Sequence, residues 1–223
     1  MIYSVWNLKN KLFKPKYIGF YGMILPFISM GLVFISIIVN SSNFTLTENL
    51  ISDLGYYSAM GPTAIIYNLS LVISGIHLII FSFGYTWLLN QEFEGRSRTI
   101  TTLGGRFLTG MGVFLIANGM FTRDVEIIHA PISLIVAFFL IFSMGIISMG
   151  MFLEKRLRLF ATLGILGYVF FGGLFLFSFF VYFAYGIAMN VAMVQLSAVS
   201  VFYLWLFQQS YRIFKTDLVS LVN

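Results

Sequence analysis

Two short stretches hold the residues best equipped for chemistry: Ile51-Ser-Asp-Leu-Gly55, and Asn118-Gly-Met-Phe-Thr-Arg123-Asp124-Val-Glu126-Ile-Ile-His129. Asp53, Asp124, Glu126, Arg123 and His129 together could bind a cation, hold a lipid headgroup or move protons. The same groups can pair with one another as a latch between two loops, and this is the favoured reading, because charges in contact with water need no further purpose. His129 and Ser133 lie one helical turn apart and could form a base and nucleophile, but that spacing is too common to count as a motif.

Other chemistries are excluded more firmly. With no cysteine, the chain forms no disulfide, thiolate nucleophile or cysteine-ligated metal site. His77 and His129 are its two histidines, so a metal would lean on carboxylates and would have to be a hard cation. We assign neither a metal nor a cofactor. No glycine-rich phosphate loop follows a strand, and Gly104-Gly105 falls inside a helix. His77, near the middle of a hydrophobic run, is expected to be neutral and bonded to a neighbouring helix. Asn68, Asn118, Asn190 and Gln195 fall in corresponding halves of their helices. They could converge as a polar pocket, although hydrogen bonds between helices are their favoured use.

The elements that position these residues follow from composition. At 59% hydrophobic and 9% charged residues, with a mean hydropathy of +0.93, the chain cannot cover a soluble globule with polar surface. A bilayer crossing takes about 20 apolar residues as a helix. Six runs qualify, over residues 17–39, 63–88, 100–121, 129–153, 159–183 and 188–209. The alternation of a membrane barrel is absent. The expectation is an all-α polytopic membrane protein with six transmembrane helices. Its first run is too long for the apolar core of a signal peptide and is read as the first crossing.

Charge sets the orientation. Lys9, Lys11, Lys14 and Lys16 precede the first run, Arg96 and Arg98 follow the second, Lys155, Arg156 and Arg158 follow the fourth, and Arg212 and Lys215 follow the last. All lie on one side, so the positive-inside rule places both the N- and C-termini in the cytoplasm. Arg106 is close enough to that side to snorkel, and Arg123 alone lies opposite. The formal charge of +5 is therefore a topology signal, and no nucleic-acid partner is expected. Trp6, Trp87 and Trp205 fall at the inner boundary. Residues 1–16 read as an interfacial amphipathic helix, 17–210 as the bundle and 211–223 as a cytoplasmic tail.

Local signals add detail. Thr45 and Glu48 fit a capping box, predicting a short helix from Asn49 to Leu54 closed by a left-handed Gly55. Pro26 should kink the first crossing, whereas Pro62 and Pro131 fall in first turns. Asn40-Ser-Ser42 and Asn43-Phe-Thr45 match glycosylation sequons.

Ile51-Ser-Asp-Leu-Gly55, Pro62, Tyr67-Asn68, Gly75, and Gly119-Met-Phe-x-x-Asp124 before His129 together resemble the prokaryotic six-helix family catalogued as domain of unknown function 998. They are more distantly similar to the Frag1/DRAM/Sfk1 membrane proteins. The resemblance covers about residues 17 to 210. It implies a multi-pass protein of a prokaryotic plasma membrane, with a polar signature on the non-cytoplasmic face and no established activity. Residue by residue it points to Ser52, Asp53, Gly55, Asn68, Asp124 and His129, while Thr122 and Arg123 stand where proline-rich character is expected. The candidate outer-face cluster is thus Ser52, Asp53, Asn68, Asn118, Arg123, Asp124, Glu126 and His129. The expected function is that of a non-enzymatic accessory subunit or lipid-organising protein, with membrane lipids and other membrane subunits as its partners. The alternative is an intramembrane enzyme acting on lipids at the outer interface.

Overall fold

A computed structural model describes residues 14–185 and 191–220. Most of the expected interfacial helix over 1–16, and Asn190, lie outside them. Six long helices account for nearly all of the described chain: α1 Pro15–Val39, α2 Ala64–Glu92, α3 Gly95–Met120, α4 Glu126–Phe152, α5 Arg158–Tyr185 and α6 Val191–Ser220. No strand occurs among the described residues. Inside a bilayer the helix is how one segment satisfies all of its own backbone groups, which is why hydropathy located these elements so closely.

Five stretches are long and apolar enough to cross a membrane: Pro15–Val39, Tyr57–Glu92, Gly95–Met120, Arg123–Phe152 and Lys155–Phe177. The sixth helix, α6, carries Gln195, Gln208 and Gln209 within its apolar sequence and runs without a break across residue 210 to Ser220. The protein is an all-α, multi-pass membrane protein.

Neighbours in sequence are neighbours in space, and α6 closes the ring against α1. The tightest approach joins α2 to α3. A Cβ placed on Gly75 would stand 2.5 Å from the Gly112 carbonyl oxygen, and one on Gly112 would stand 2.8 Å from the Gly75 oxygen. Backbone contact of this kind substitutes for the hydrophobic drive that lipid removes. Between the helices lie Phe81, Tyr85, Leu89, Ile147, Met151, Phe202 and Leu206, all fully buried. Helix α5 is peripheral, presenting Leu159, Leu166, Val169 and Phe170 outward.

The basic end is tied by one carboxylate. Arg212 Nη1 donates to both Glu92 oxygens at 2.9 and 3.1 Å, and Arg156 Nη2 lies 3.2 Å from Glu92 Oε1. This joins α2, α6 and the α4–α5 turn, a role for Glu92 that its position in the sequence did not reveal.

Helix α1 contains Pro26 within its length. One local expectation changes. Helix α4 starts at Glu126, three residues before the hydropathy boundary, so Pro131 falls in its second turn rather than its first.

Candidate functional site

The end of the bundle opposite Glu92 is closed by the α1–α2 and α3–α4 loops. The first makes a 3-10 turn at Ile51–Gly55, then a single helical turn at Tyr57–Met60. The expected Thr45–Glu48 box does not form. Asn49 Oδ1 accepts from the Thr45 N–H at 2.8 Å, and Asp53 caps the turn by accepting the Leu50 N–H at 2.7 Å. Leu54, Met60, Phe44, Ala64 and Tyr67 form a small apolar core beneath the loop.

Gly55 is not left-handed. Among the described residues the positive-φ glycines are Gly61 at 62° and Gly95 at 52°. Gly55 is needed for a close approach instead, since a Cβ there would overlap Asn68 Oδ1 and stand 3.0 Å from the Tyr67 ring. The Gly55 carbonyl accepts from Asn68 Nδ2 at 3.1 Å.

Asp53 and Asp124 face in different directions across the two loops. Asp53 uses its second oxygen on Arg123, Nη1 to Oδ1 2.6 Å, and the same nitrogen donates to Ser52 Oγ at 3.2 Å. Asp124 reaches back to the helical turn, accepting the Tyr57 N–H at 2.9 Å, the Ser58 N–H at 3.1 Å and the Ser58 hydroxyl at 2.7 Å. Thr122 Oγ1 donates to it as well, at 3.2 Å. Carboxylates are well suited to orphan amides at the start of a helical turn, because the bonds are charge-assisted.

His129 is buried at the start of α4, its Nδ1 2.7 Å from the Phe121 carbonyl oxygen. A carbonyl only accepts, so Nδ1 carries the proton and the ring staples the end of α3 to α4. Ser133 does not pair with it. Its hydroxyl donates to Asn118 Oδ1 at 3.0 Å, so the base-and-nucleophile arrangement is not formed. Glu126 is exposed and makes no hydrogen bond or ion pair with the cluster; it lies in the first turn of α4, where a negative charge suits the helix dipole.

The described amides do not converge on one pocket. Asn68 holds the Gly55 carbonyl, Asn118 holds Ser133, and Gln195 Oε1 accepts the Ile51 N–H at 3.1 Å, tying α6 to the loop. Below Ile51 and Gln195 is a cavity of about 90 Å³, bordered also by Ser29, Ser74 and Tyr203. Ser74 donates to Ser29 across it at 2.8 Å. His77 meets the Tyr21 ring edge-on, centroids 5.5 Å apart, instead of hydrogen bonding to a neighbouring helix.

Asn40 was a sequon asparagine by pattern, yet it is buried. Its Nδ2 donates to the Ser36 carbonyl at 2.8 Å and its Oδ1 accepts from Thr63, which clamps the end of α1 to the entrance of α2. Among the described residues no three His, Asp or Glu side chains gather to hold a metal ion.

The architecture is that of a polytopic helical membrane protein with Asp53, Arg123, Asp124 and His129 in a latched cap at one end and most of its basic residues at the other. The family model for a protein of unknown function, DUF998, matches residues 23–208, which include the cap and reach into all six helices. The chain belongs to that family. No curated protein and no solved structure matches it.

Proposed function

We propose that the protein is a non-enzymatic component of a prokaryotic cell membrane, an accessory subunit or lipid-organising protein, whose cap faces away from the cytoplasm as a structural closure. One observation carries this reading: both oxygens of Asp53 and both of Asp124 are occupied by partners within the two loops. Carboxylates held in this way are poor candidates for a general base, which needs a free lone pair directed at a substrate. The clustering of Arg96, Arg98, Lys155, Arg156, Arg158 and Arg212 at the other end supports the orientation. An enzyme acting on lipids at the outer interface would need those carboxylates open to a groove, and the latch closes them.

Native mass spectrometry of protein gently extracted from its own membrane tests the reading, with wild type, Asp53→Asn and His129→Ala compared. The expected result is a stoichiometric protein partner or one defined lipid on the wild type, lost from the variants in step with a lower thermal midpoint. Conversion of a lipid by the purified wild type, abolished in variants of unchanged midpoint, would establish the enzyme instead.

A further inference from the structure

Away from the cap, near the basic end, a groove of about 280 Å³ lies among α4, α5 and α6, bordered by Met144, Leu163, Val201, Leu204, Trp205 and Gln208. Leu163 and Leu204 are 52% and 67% exposed, so the groove opens toward the bilayer. Its polar lining groups are the Trp205 indole N–H, buried without a partner, and the Gln208 amide. Gln208 is half-buried and its side chain makes no hydrogen bond in the protein. A primary amide left unpaired beside hydrocarbon is costly, and lipid tails offer it nothing.

The register along the two helices says what can satisfy it. On α6, Gln208 precedes Arg212 by one turn, about 6 Å of rise, and Leu204 lies one turn further on the other side. On α5, Arg158 precedes Leu163 by a little more than a turn. Lys155 and Arg158 are exposed at the basic end, the Arg158 guanidinium lying 5.7 Å from the Phe152 ring centroid on α4; along the bundle axis these charges come first, the amide follows, and the apolar walls come last. That is the order of phosphate, ester carbonyl and acyl chain in a glycerophospholipid.

We propose that this groove holds an anionic glycerophospholipid of the leaflet at the basic end. One acyl chain lies against Leu163, Val201 and Leu204, an ester carbonyl accepts from the Gln208 amide, and the phosphate faces Lys155 and Arg158. The assignment is independent of the cap and of any role given to it.

Trp205 borders the groove and serves as an internal reporter. Replacing Trp6 and Trp87 by Phe leaves it as the sole tryptophan of the chain. This protein is reconstituted in vesicles containing increasing fractions of phosphatidylglycerol or phosphatidylcholine with brominated acyl chains, which quench indole emission on contact. Half-maximal quenching is expected at about fivefold lower mole fraction for the anionic lipid, the size of effect that one basic residue at a membrane surface produces. Val201→Phe, which fills the groove, should remove that preference, as should Lys155→Gln combined with Arg158→Gln, while Gln208→Leu, which loses a bond to an ester carbonyl common to both lipids, should weaken quenching by the two alike. Equal quenching of the wild type by the two lipids overturns the proposal. So does a preference that survives Val201→Phe, which would show anionic lipid gathering around the basic end without occupying the groove.

Discussion

Arg123 Nη1 stands 2.6 Å from Asp53 Oδ1, with both side chains mostly withdrawn from solvent. The pair joins the α1–α2 loop to the α3–α4 loop and anchors the closure above α2 and α3. Because its members are largely buried, removing either should leave the other poorly solvated. Asp53→Ala and Arg123→Ala are each expected to cost about 2 kcal/mol in chemical unfolding in mild detergent, with the double variant costing well short of the sum. Strictly additive losses would show that the pair is not coupled.

Gly55→Ala should destabilise the cap by about 1–3 kcal/mol, through overlap with Asn68 rather than through backbone strain. The diagnostic is context. In an Asn68→Ala background most of the penalty should disappear, and a penalty that persists there would locate the cause in the backbone of Gly55.

Asp124 acts locally. It is exposed, so Asp124→Ala should move the global thermal midpoint little, while freeing the Tyr57 and Ser58 amides it accepts. Hydrogen exchange at those two amides should rise by about tenfold, the equivalent of one charge-assisted hydrogen bond. Unchanged protection would mean that the helical turn holds itself.

The absence of cysteine makes orientation directly measurable. Glu126→Cys, in the exposed first turn of α4, should react with a membrane-impermeant maleimide in intact cells. Arg98→Cys, at the opposite end of the bundle, should react only after permeabilisation. The reverse pattern would invert the topology.

The sequence by itself determined the helices and their order. Each crossing had to be a long apolar run, because a backbone in hydrocarbon must satisfy its own hydrogen bonds, and that requirement is readable residue by residue. It also singled out Asp53, Asp124 and His129, since charges are scarce enough in such a chain to be conspicuous. Their partners were not legible. Asp124 serves amides of another loop, Arg123 takes Asp53, Ser133 takes Asn118 rather than His129, and Glu92 collects two arginines. Even the local Thr45–Glu48 signal lost to Asp53, whose turn is fixed from outside by Arg123. Hydrogen bonds reach only about 3 Å, so which donor meets which acceptor depends on how α2, α3 and α4 bring their ends together. That arrangement comes from tight contacts such as Gly75 against Gly112, and only the tertiary structure decided it.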